Sequence, residues 1–266
     1  MSADRKGAAV IVGHPGTGIK EQASGLYAKC MAENGFFALA FDAAHQGDSE
    51  GEPRNLEDPY QRAEDFKAAV TFLSTLDDGV DPNRIGVIGI CASGGYCIFA
   101  AQTDVRIRAV ATVVGMCWGG MTRDIFQAQG NLHEMLVQSG RSRVAEARGS
   151  DPDMVNILDT WDDAENYYKT PRGYHPKCTN LKLTRSAKLL STHDSVAFVR
   201  WISPRPLLMI SGSDAATVEF SKTTIQQALE PKELFIIPGK KHMDLYDGTE
   251  ESIPKLVEFM SHWLCT

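Results

Sequence analysis

The chain has 266 residues, 43% of them hydrophobic, which is enough to bury the core of one large α/β domain. Its 27 Lys and Arg against 34 Asp and Glu give a formal net charge of −7, and its basic stretches are short and diluted. An acidic balance without a basic patch excludes an extended nucleic-acid footprint or an anionic membrane as the main partner.

Targeting, disulfide and metal signals are missing from the sequence. No apolar run approaches the roughly 18 residues of a membrane span, and the charged start at residues 4–6 precedes too short an apolar stretch for a signal peptide. The six cysteines are not dense and form no C-x-x-C pairs, and no H-x-x-x-H motif occurs. We therefore expect a cytoplasmic protein with reduced thiols that uses no metal and no cofactor.

Short apolar runs alternate with helical patterns along the chain. The runs predict buried strands, because strands of a parallel sheet are covered on both faces and lose their polar alternation. They span residues 8–12, 36–41, 85–90, 105–114, 206–210 and 233–237. The helical patterns span residues 21–34, 59–76, 94–103, 221–229 and 251–265. This order predicts an α/β fold with a doubly wound, mostly parallel sheet.

One long interval interrupts the alternation. Between the fourth predicted strand and Pro204, the chain holds a helix-like segment at residues 124–148 and a polar, aromatic stretch at residues 161–180. A single crossover helix needs far fewer residues. The sequence therefore predicts one domain, residues 1–266, with a helical cap inserted at about residues 117–203.

A candidate nucleophile follows the third predicted strand. Gly89-Ile-Cys91-Ala-Ser93 has the form small-x-nucleophile-x-small, which a tight turn from strand to helix requires. A helix N-terminus beside Cys91 is expected to favour its thiolate. Ser93 fits the same pattern one step later, flanked by Cys91 and Gly95. We favour Cys91, because the apolar run ends at Ile90 and the turn should follow at once.

A base and an acid follow the last two predicted strands. His242 lies in the loop after the final strand, where a catalytic histidine of this topology belongs. Asp214 follows the preceding strand and would orient that histidine, with Glu219 as the alternative. The chain order nucleophile, acid, histidine is that of α/β-hydrolases.

An oxyanion hole needs two amides near the nucleophile. One is predicted from Ala92, directly after Cys91, and the other from the loop after the first strand. Pro15 has no amide hydrogen, so the second donor is Gly16 or Thr17. His14 in this loop either packs the loop, binds substrate or acts as a second base.

Three further side chains are candidates for substrate binding. His45 belongs to a loop rich in Gly and Asp after the second strand, which either lines the mouth of a site or is a plain turn. Tyr167 and Tyr168 in the insertion either wall an acyl pocket or pack the cap.

Six motifs in order carry a family resemblance over about residues 8–264. They read HPGTGIKEQ, FDAAHQGDSEGEPR, GICASGGY, YYKTPRGYHPKCTN, PRPLLMISGS and PKELFIIPGKKHMDLYD. The chain resembles the dienelactone hydrolase-like branch of the α/β-hydrolase superfamily, and within it a group of fungal polyketide transferases and thiohydrolases with bacterial relatives. The resemblance implies an acyl intermediate on Cys91, with Asp214 and His242 as partners.

The resemblance also implies a small-molecule acyl substrate: an ester, thioester or lactone, with a polyketide-type acyl group among the candidates. The alternative is a binding protein, or a lyase- or cyclase-like enzyme, that uses the same pocket without acylation. Family members usually carry antiparallel strands before the HPG loop (His14–Gly16), whereas residues 1–7 alone precede the first predicted strand here. We expect an open sheet edge beside the first parallel strand, covered by a homodimer; the alternative is an edge hidden by residues 1–7 or by a helix.

Overall fold

The computed structural model describes residues 4–76, 78–161 and 163–265. The strands are β1 (Gly7–Gly13), β2 (Phe37–Ala40), β3 (Val80–Ile90), β4 (Ile107–Val113), β5 (Met154–Asn156), β6 (Leu181–Leu183), β7 (Leu207–Gly212) and β8 (Lys232–Ile237). One parallel sheet has the order β2-β1-β3-β4-β7-β8, and β5 and β6 form a separate antiparallel pair. Each of the six predicted apolar runs is a strand of the parallel sheet, which confirms the predicted fold class.

Helices flank this sheet. They are α1 (Ala23–Glu33), α2 (Pro59–Ser74), α3 (Ser93–Thr103), α4 (Trp118–Ala128), α5 (Leu132–Ala147), α6 (Ala164–Tyr168), α7 (Ser186–Ser191), α8 (Val218–Gln227), α9 (Asp244–Asp247) and α10 (Ser252–Leu264). α1 packs on α10 and α2 packs on α3. Residues 8–12 of β1 are fully buried, which explains why this run lacks polar alternation. Within the described ranges, no helix has the length and hydropathy of a membrane span.

The segment between β4 and β7 contains α4 to α7 and the β5-β6 pair. The helix-like segment at residues 124–148 is helical and is divided between α4 and α5. Gly130 between them has a φ of +67°, a conformation that favours glycine.

The predicted position of the open sheet edge is wrong. β1 is hydrogen-bonded to β2 on one side and to β3 on the other. The chain returns after α1 to the outer side of β1, so that the edge of the sheet at this end is β2. Phe37 at the start of β2 is 40% exposed.

The homodimer stays a prediction, now with β2 as the exposed edge. An unpaired edge strand leaves backbone amides and carbonyls free, and association of two copies by two-fold symmetry covers them. Light scattering at several protein concentrations is expected to give twice the chain mass. A monomer mass throughout the micromolar range would contradict this.

Candidate active site

The candidate site lies where the strand order of the sheet reverses. β1 and β3 are neighbours with Gly13 opposite Gly89, while β2 and β4 lie outside them. The loops that follow β1 and β3 therefore diverge and leave a crevice at the carboxyl ends of these strands, where α/β sheets bind their ligands. The HPG loop and the turn at Cys91 meet in this crevice.

The turn between β3 and α3 has the geometry that the sequence predicts. Cys91 has a φ of +55°, which a side-chain-bearing residue rarely adopts. Its carbonyl accepts hydrogen bonds from the amides of Gly94 at 2.9 Å and Met116 at 3.1 Å. A Cβ at Gly89 would overlap the Ser93 carbonyl and lie 2.6 Å from the Cys97 sulfur, so a small residue is needed there.

Ser93, the alternative nucleophile, does not line the cavity at Cys91. It is buried at the start of α3, and its hydroxyl donates to the His14 carbonyl at 2.6 Å. The Arg62 guanidinium donates to the same hydroxyl at 3.0 Å. These bonds give Ser93 a role in holding the HPG loop.

Cys91 opens into a small cavity of about 20 Å³, which is room for about one water molecule. Residues from the sheet loops and from the segment between β4 and β7 line it together. The lining residues are Gly16, Cys91, Ala92, Met116, Trp118, Ile157, Trp161, Tyr168, Met243 and Tyr246. The inserted segment thus supplies much of the wall around the thiol.

Two backbone amides point at the Cys91 sulfur. They belong to Ala92 and Gly16, and both lower the pKa of the thiol, while the thiol itself donates a hydrogen bond to the Met116 sulfur at 3.6 Å. Of the two residues left open by the sequence, Gly16 is therefore the one whose amide reaches the thiol. A Cβ at Gly16 would overlap the Trp118 ring, which explains the glycine. Thr17 has a φ of +56°, and its buried hydroxyl has no hydrogen-bond partner in the part of the chain that the structure describes.

The expectation of a favoured thiolate in the resting protein is wrong. Burial raises the pKa of Cys91 above its ordinary value, although the nearby Tyr246 hydroxyl and the two amides act in the opposite direction. The side chain is only 7% exposed, so water cannot solvate a charged sulfur. Cys91 therefore rests as a thiol, and a base must remove its proton during any reaction.

His242 is buried at the same end of the sheet. Its Nδ1 lies 3.0 Å from the Thr217 hydroxyl, and its Nε2 lies 3.3 Å from the Tyr246 hydroxyl. The ring of Trp161 packs on it with centroids 4.8 Å apart. Burial lowers the pKa of His242 to about 3, so the imidazole is neutral and able to accept a proton.

The structure does not bring Asp214 to His242. Asp214 is exposed, accepts a hydrogen bond from Ser213 at 2.7 Å, and is anchored by its amide on the Lys240 carbonyl. Glu219, the alternative acid, is exposed and pairs with Lys222 at 2.7 Å. Among the described residues, no carboxylate lies within 4 Å of the His242 ring nitrogens. Thr217, at the turn that leads into α8, takes the place of the acid.

Hydrogen-bond directions around His242 form one consistent chain. The Thr217 hydroxyl donates to the Val114 carbonyl at 3.3 Å, which leaves its oxygen free to accept the proton on His242 Nδ1. Nε2 is then the acceptor that faces the Tyr246 hydroxyl. The Tyr246 hydroxyl is also near enough to Cys91 to affect the pKa of the thiol, so it neighbours both the thiol and the imidazole.

Sequence reasoning missed Tyr246 and Thr217. Tyr246 lies four residues after His242, a spacing that puts two side chains on the same side of a helical turn, and this signal was available. Thr217 lies three residues after Asp214, but a search for a carboxylate passes over a hydroxyl. Neither residue belongs to the predicted triad.

His14 holds the HPG loop and does not line the Cys91 cavity. It is fully buried, its Nδ1 lies 2.7 Å from the Pro15 carbonyl, and its Nε2 accepts the Ala43 amide at 3.0 Å. Burial and the nearby Arg62 guanidinium lower its pKa. The structure thus favours the packing alternative for this histidine over the base and substrate-binding alternatives.

The other predicted binding residues divide between packing and lining. His45 is half-buried, and its Nδ1 lies 3.2 Å from the Pro53 carbonyl within its own loop. Tyr167 is 2% exposed and packs edge-on against Tyr246 behind the cavity, with ring centroids 5.0 Å apart. Tyr168 alone of these three lines the Cys91 cavity.

A cluster of three carboxylates lies in the loops beside the site. Oxygen atoms of Glu21, Asp42 and Asp48 lie close enough together to hold a cation. The Lys20 ammonium lies among them, 2.6 Å from Asp42, 2.9 Å from Asp48 and 3.1 Å from Glu21. The cluster is therefore an ion-pair network that fixes the loop after β2.

Comparisons with known proteins agree with this architecture. The model of the alpha/beta hydrolase family matches residues 10–251. The chain is 40% identical to the uncharacterized protein PA2218 of Pseudomonas aeruginosa, covering 90% of the chain and 68% of that protein. It is 35% identical to the uncharacterized protein YcjY of Escherichia coli, with 96% and 89% covered. Thiohydrolase aneE of Aspergillus aculeatus is 28% identical, with 92% and 78% covered.

Two solved structures show the same fold. The crystal structure of PA2218 from Pseudomonas aeruginosa has a TM-score of 0.90 at 36% identity, and the match covers 99% of this chain and 86% of that one. The alpha/beta hydrolase GrgF from Penicillium sp. has a TM-score of 0.83 at 23% identity, with 99% and 92% covered. A curated relative of that name is called a polyketide transferase.

Proposed function

The chain belongs to the alpha/beta hydrolase family, and from this premise we propose that it hydrolyses or transfers acyl groups through an acyl intermediate on Cys91. The observation that carries the proposal is the pair of amides, from Ala92 and Gly16, that point at a thiol on a strained turn. Relatives called a thiohydrolase and an acyltransferase support the reaction class. The substrate is an ester, a thioester or a lactone.

Acylation begins with attack of the Cys91 sulfur on the substrate carbonyl carbon. A carbon-sulfur bond forms, and the carbonyl oxygen becomes an oxyanion. The amides of Ala92 and Gly16 stabilise this charge as it develops, because donors fixed in a dry cavity need no reorganisation. When the oxyanion collapses, the bond to the leaving alcohol or thiol breaks and acyl-Cys91 remains.

The thiol proton travels through Tyr246. The Tyr246 hydroxyl donates its proton to His242 Nε2 as it accepts the proton of Cys91, so the sulfur loses one proton and the imidazole gains one. The imidazolium then protonates the leaving group by the same path. Thr217 accepts the hydrogen bond from Nδ1–H of His242 throughout and keeps the ring in the required tautomer.

Water or an acceptor alcohol then attacks acyl-Cys91, with His242 taking the attacking proton. Hydrolysis and transfer differ only in this second nucleophile. Relatives called polyketide transferases support an acyl group of the polyketide type.

Trapping the acyl-enzyme tests the proposal. We expect brief incubation with p-nitrophenyl esters and acyl thioesters, followed by acid quench and peptide mass spectrometry, to find the acyl mass on the peptide that contains Cys91. A pocket that binds without acylation is the second candidate function, favoured by the missing carboxylate at His242. Saturable binding with no turnover and no adduct from any substrate would establish that alternative.

Replacing Tyr246 with phenylalanine removes the hydroxyl between Cys91 and His242. We expect kcat to fall by about 10²- to 10³-fold, the range of a lost proton-transfer group, while substrate affinity changes little. Because the pKa of Cys91 is raised, the residual rate should climb with pH beyond the range where the wild type levels off. Stopped-flow acylation rates across pH measure this, with Tyr167→Phe as the control. A Tyr246→Phe rate with the wild-type pH profile would remove Tyr246 from the proton path.

Replacing Thr217 is expected to slow catalysis more than replacing Asp214, the acid that the sequence predicts. Thr217→Val should lower kcat by about 10- to 100-fold, since the hydrogen bond that orients His242 is lost. Asp214→Asn should change kcat less than threefold, because that carboxylate is exposed and bonds to Ser213 rather than to His242. Steady-state kinetics of both variants measure the difference. If Asp214→Asn is the crippling change, the acid reaches His242 in the working enzyme.

A further inference from the structure

A second and larger cavity lies beside the Cys91 cavity. Its volume is about 700 Å³, within the range of small-molecule sites. Side chains of α4, α5, β5, β6 and α7 line it, and its walls are mainly apolar, with Met121, Phe126, Met135 and Val155 among them. Trp118 and Ile157 line both cavities, so the two cavities adjoin at these side chains.

Lys182 is the charged side chain on the inner wall of this cavity. It is half-buried, whereas the other two charged lining residues, Glu134 and Arg141, are exposed. Its ammonium lies over the Trp118 ring, 4.6 Å from the ring centroid. Among the described residues, no carboxylate lies within 4 Å of this ammonium. Burial lowers the pKa of Lys182 to about 8, so most of it is charged at neutral pH.

Glu57 attracts the Lys182 ammonium but does not pair with it directly. A half-buried ammonium without a direct ion pair is unfavourable, and an anion brought into the cavity would relieve it. Trp118 places this charge close to the reacting atoms. One edge of its ring packs against Gly16, whose amide points at the Cys91 sulfur, and Lys182 lies over its face. Gly16 and Lys182 therefore both contact the Trp118 ring, which places the ammonium beside the Cys91 site.

We propose that the large cavity binds the acyl chain of the substrate, and that this chain carries a carboxylate that pairs with Lys182. The inference rests on the acyl-Cys91 function proposed above and names the substrate class of that site. The apolar walls take the methylene carbons, and the ammonium takes the charge.

Matched substrates and variants test the pairing. The substrates are N-acetylcysteamine half-thioesters of dicarboxylic acids with four to ten carbons, each compared with the monocarboxylic thioester of equal length. We expect wild-type kcat/KM to favour a carboxylated chain, and Lys182→Met to lower the ratio of carboxylated to neutral kcat/KM by about 10- to 100-fold. Lys188→Met, a lysine on the neighbouring α7, is the control and should leave the ratio unchanged. A preference for neutral chains, or an unchanged ratio in Lys182→Met, overturns the proposal.

Binding to a protein without the thiol separates this inference from the catalytic proposal. Calorimetry of the same half-thioesters with Cys91→Ala should show binding that weakens about 10-fold or more when Lys182→Met is added. Such binding without any acyl adduct in the wild type would leave the ligand site standing and reject the acyl-Cys91 function. Ile125→Trp, at a partly exposed lining position, should shift the optimum to shorter chains. An unchanged optimum in a folded Ile125→Trp protein would show that the chain lies elsewhere.

Discussion

Replacing Cys91 with alanine is expected to lower kcat/KM for any acyl substrate by about 10⁴-fold or more, the scale on which a lost nucleophile acts when its partners work as a unit. No other thiol can substitute, because the strained turn presents Cys91 alone to the amides of Ala92 and Gly16. Substrate affinity should survive, since the cavity walls are untouched. Initial rates and calorimetric binding with the same thioester measure the two quantities.

Cys97→Ala is the matched control for this experiment. Cys97, like Cys91, is a buried thiol, but it lies within α3 and its sulfur donates to the Gly94 carbonyl at 3.4 Å. Its loss should cost about 1 kcal/mol of stability and leave kcat within a factor of three. Turnover by Cys91→Ala at more than a tenth of the wild-type rate would show that the reaction proceeds without the acyl-cysteine.

The main sheet could be predicted from the sequence because local composition determines it. Runs such as residues 85–90 are apolar on every side chain, and a sheet covered on both faces accepts nothing else. The sharp turn at Cys91 was also predictable, since Gly89 lies only two residues before Cys91 and the steric demand is local. The order of the strands in the sheet depends on contacts between distant parts of the chain. The open edge was therefore assigned to β1, whereas it belongs to β2.

The partners of His242 could not be predicted because they depend on how three loops pack. Asp214 has the right residue type and the right place in the chain, but its amide bonds Lys240 and its side chain points to water. Thr217 reaches the imidazole through the turn before α8. The thiol pKa was misjudged for a similar reason. Burial by the inserted segment, which a sequence does not reveal, outweighs the effect of the helix N-terminus.

Acid is expected to unfold this protein steeply, because three buried histidines are neutral in the folded state. Burial lowers the pKa of His242 to about 3 and that of His193 to about 4, and it also lowers that of His14. In the unfolded chain these groups have a pKa of about 6.5. Below that pH the unfolded state binds protons that the folded state excludes, so the free energy of unfolding falls as the pH falls.

The number of protons taken up on unfolding sets how steeply the free energy of unfolding falls with pH. Three protons taken up on unfolding correspond to about 4 kcal/mol per pH unit between roughly pH 5.5 and pH 4, against a total stability of about 5–15 kcal/mol for a typical domain. Urea unfolding at half-unit steps of pH from 8 to 4.5 measures this slope. A nearly constant free energy of unfolding between pH 6.5 and 5 would contradict the neutral, buried state of these histidines.

His193→Phe isolates one of the three contributions. Both ring nitrogens of His193 are buried without hydrogen-bond partners among the described residues, and the ring packs among Tyr60, Tyr96 and Phe99, so phenylalanine suits the same site. At pH 8 the change in stability reports packing alone, because histidine is neutral in both states there. Below pH 6 the slope should decrease by about 1.4 kcal/mol per pH unit, one proton's share. If the slope of His193→Phe equals that of the wild type, His193 takes up no proton on unfolding and its charge is already present in the folded protein.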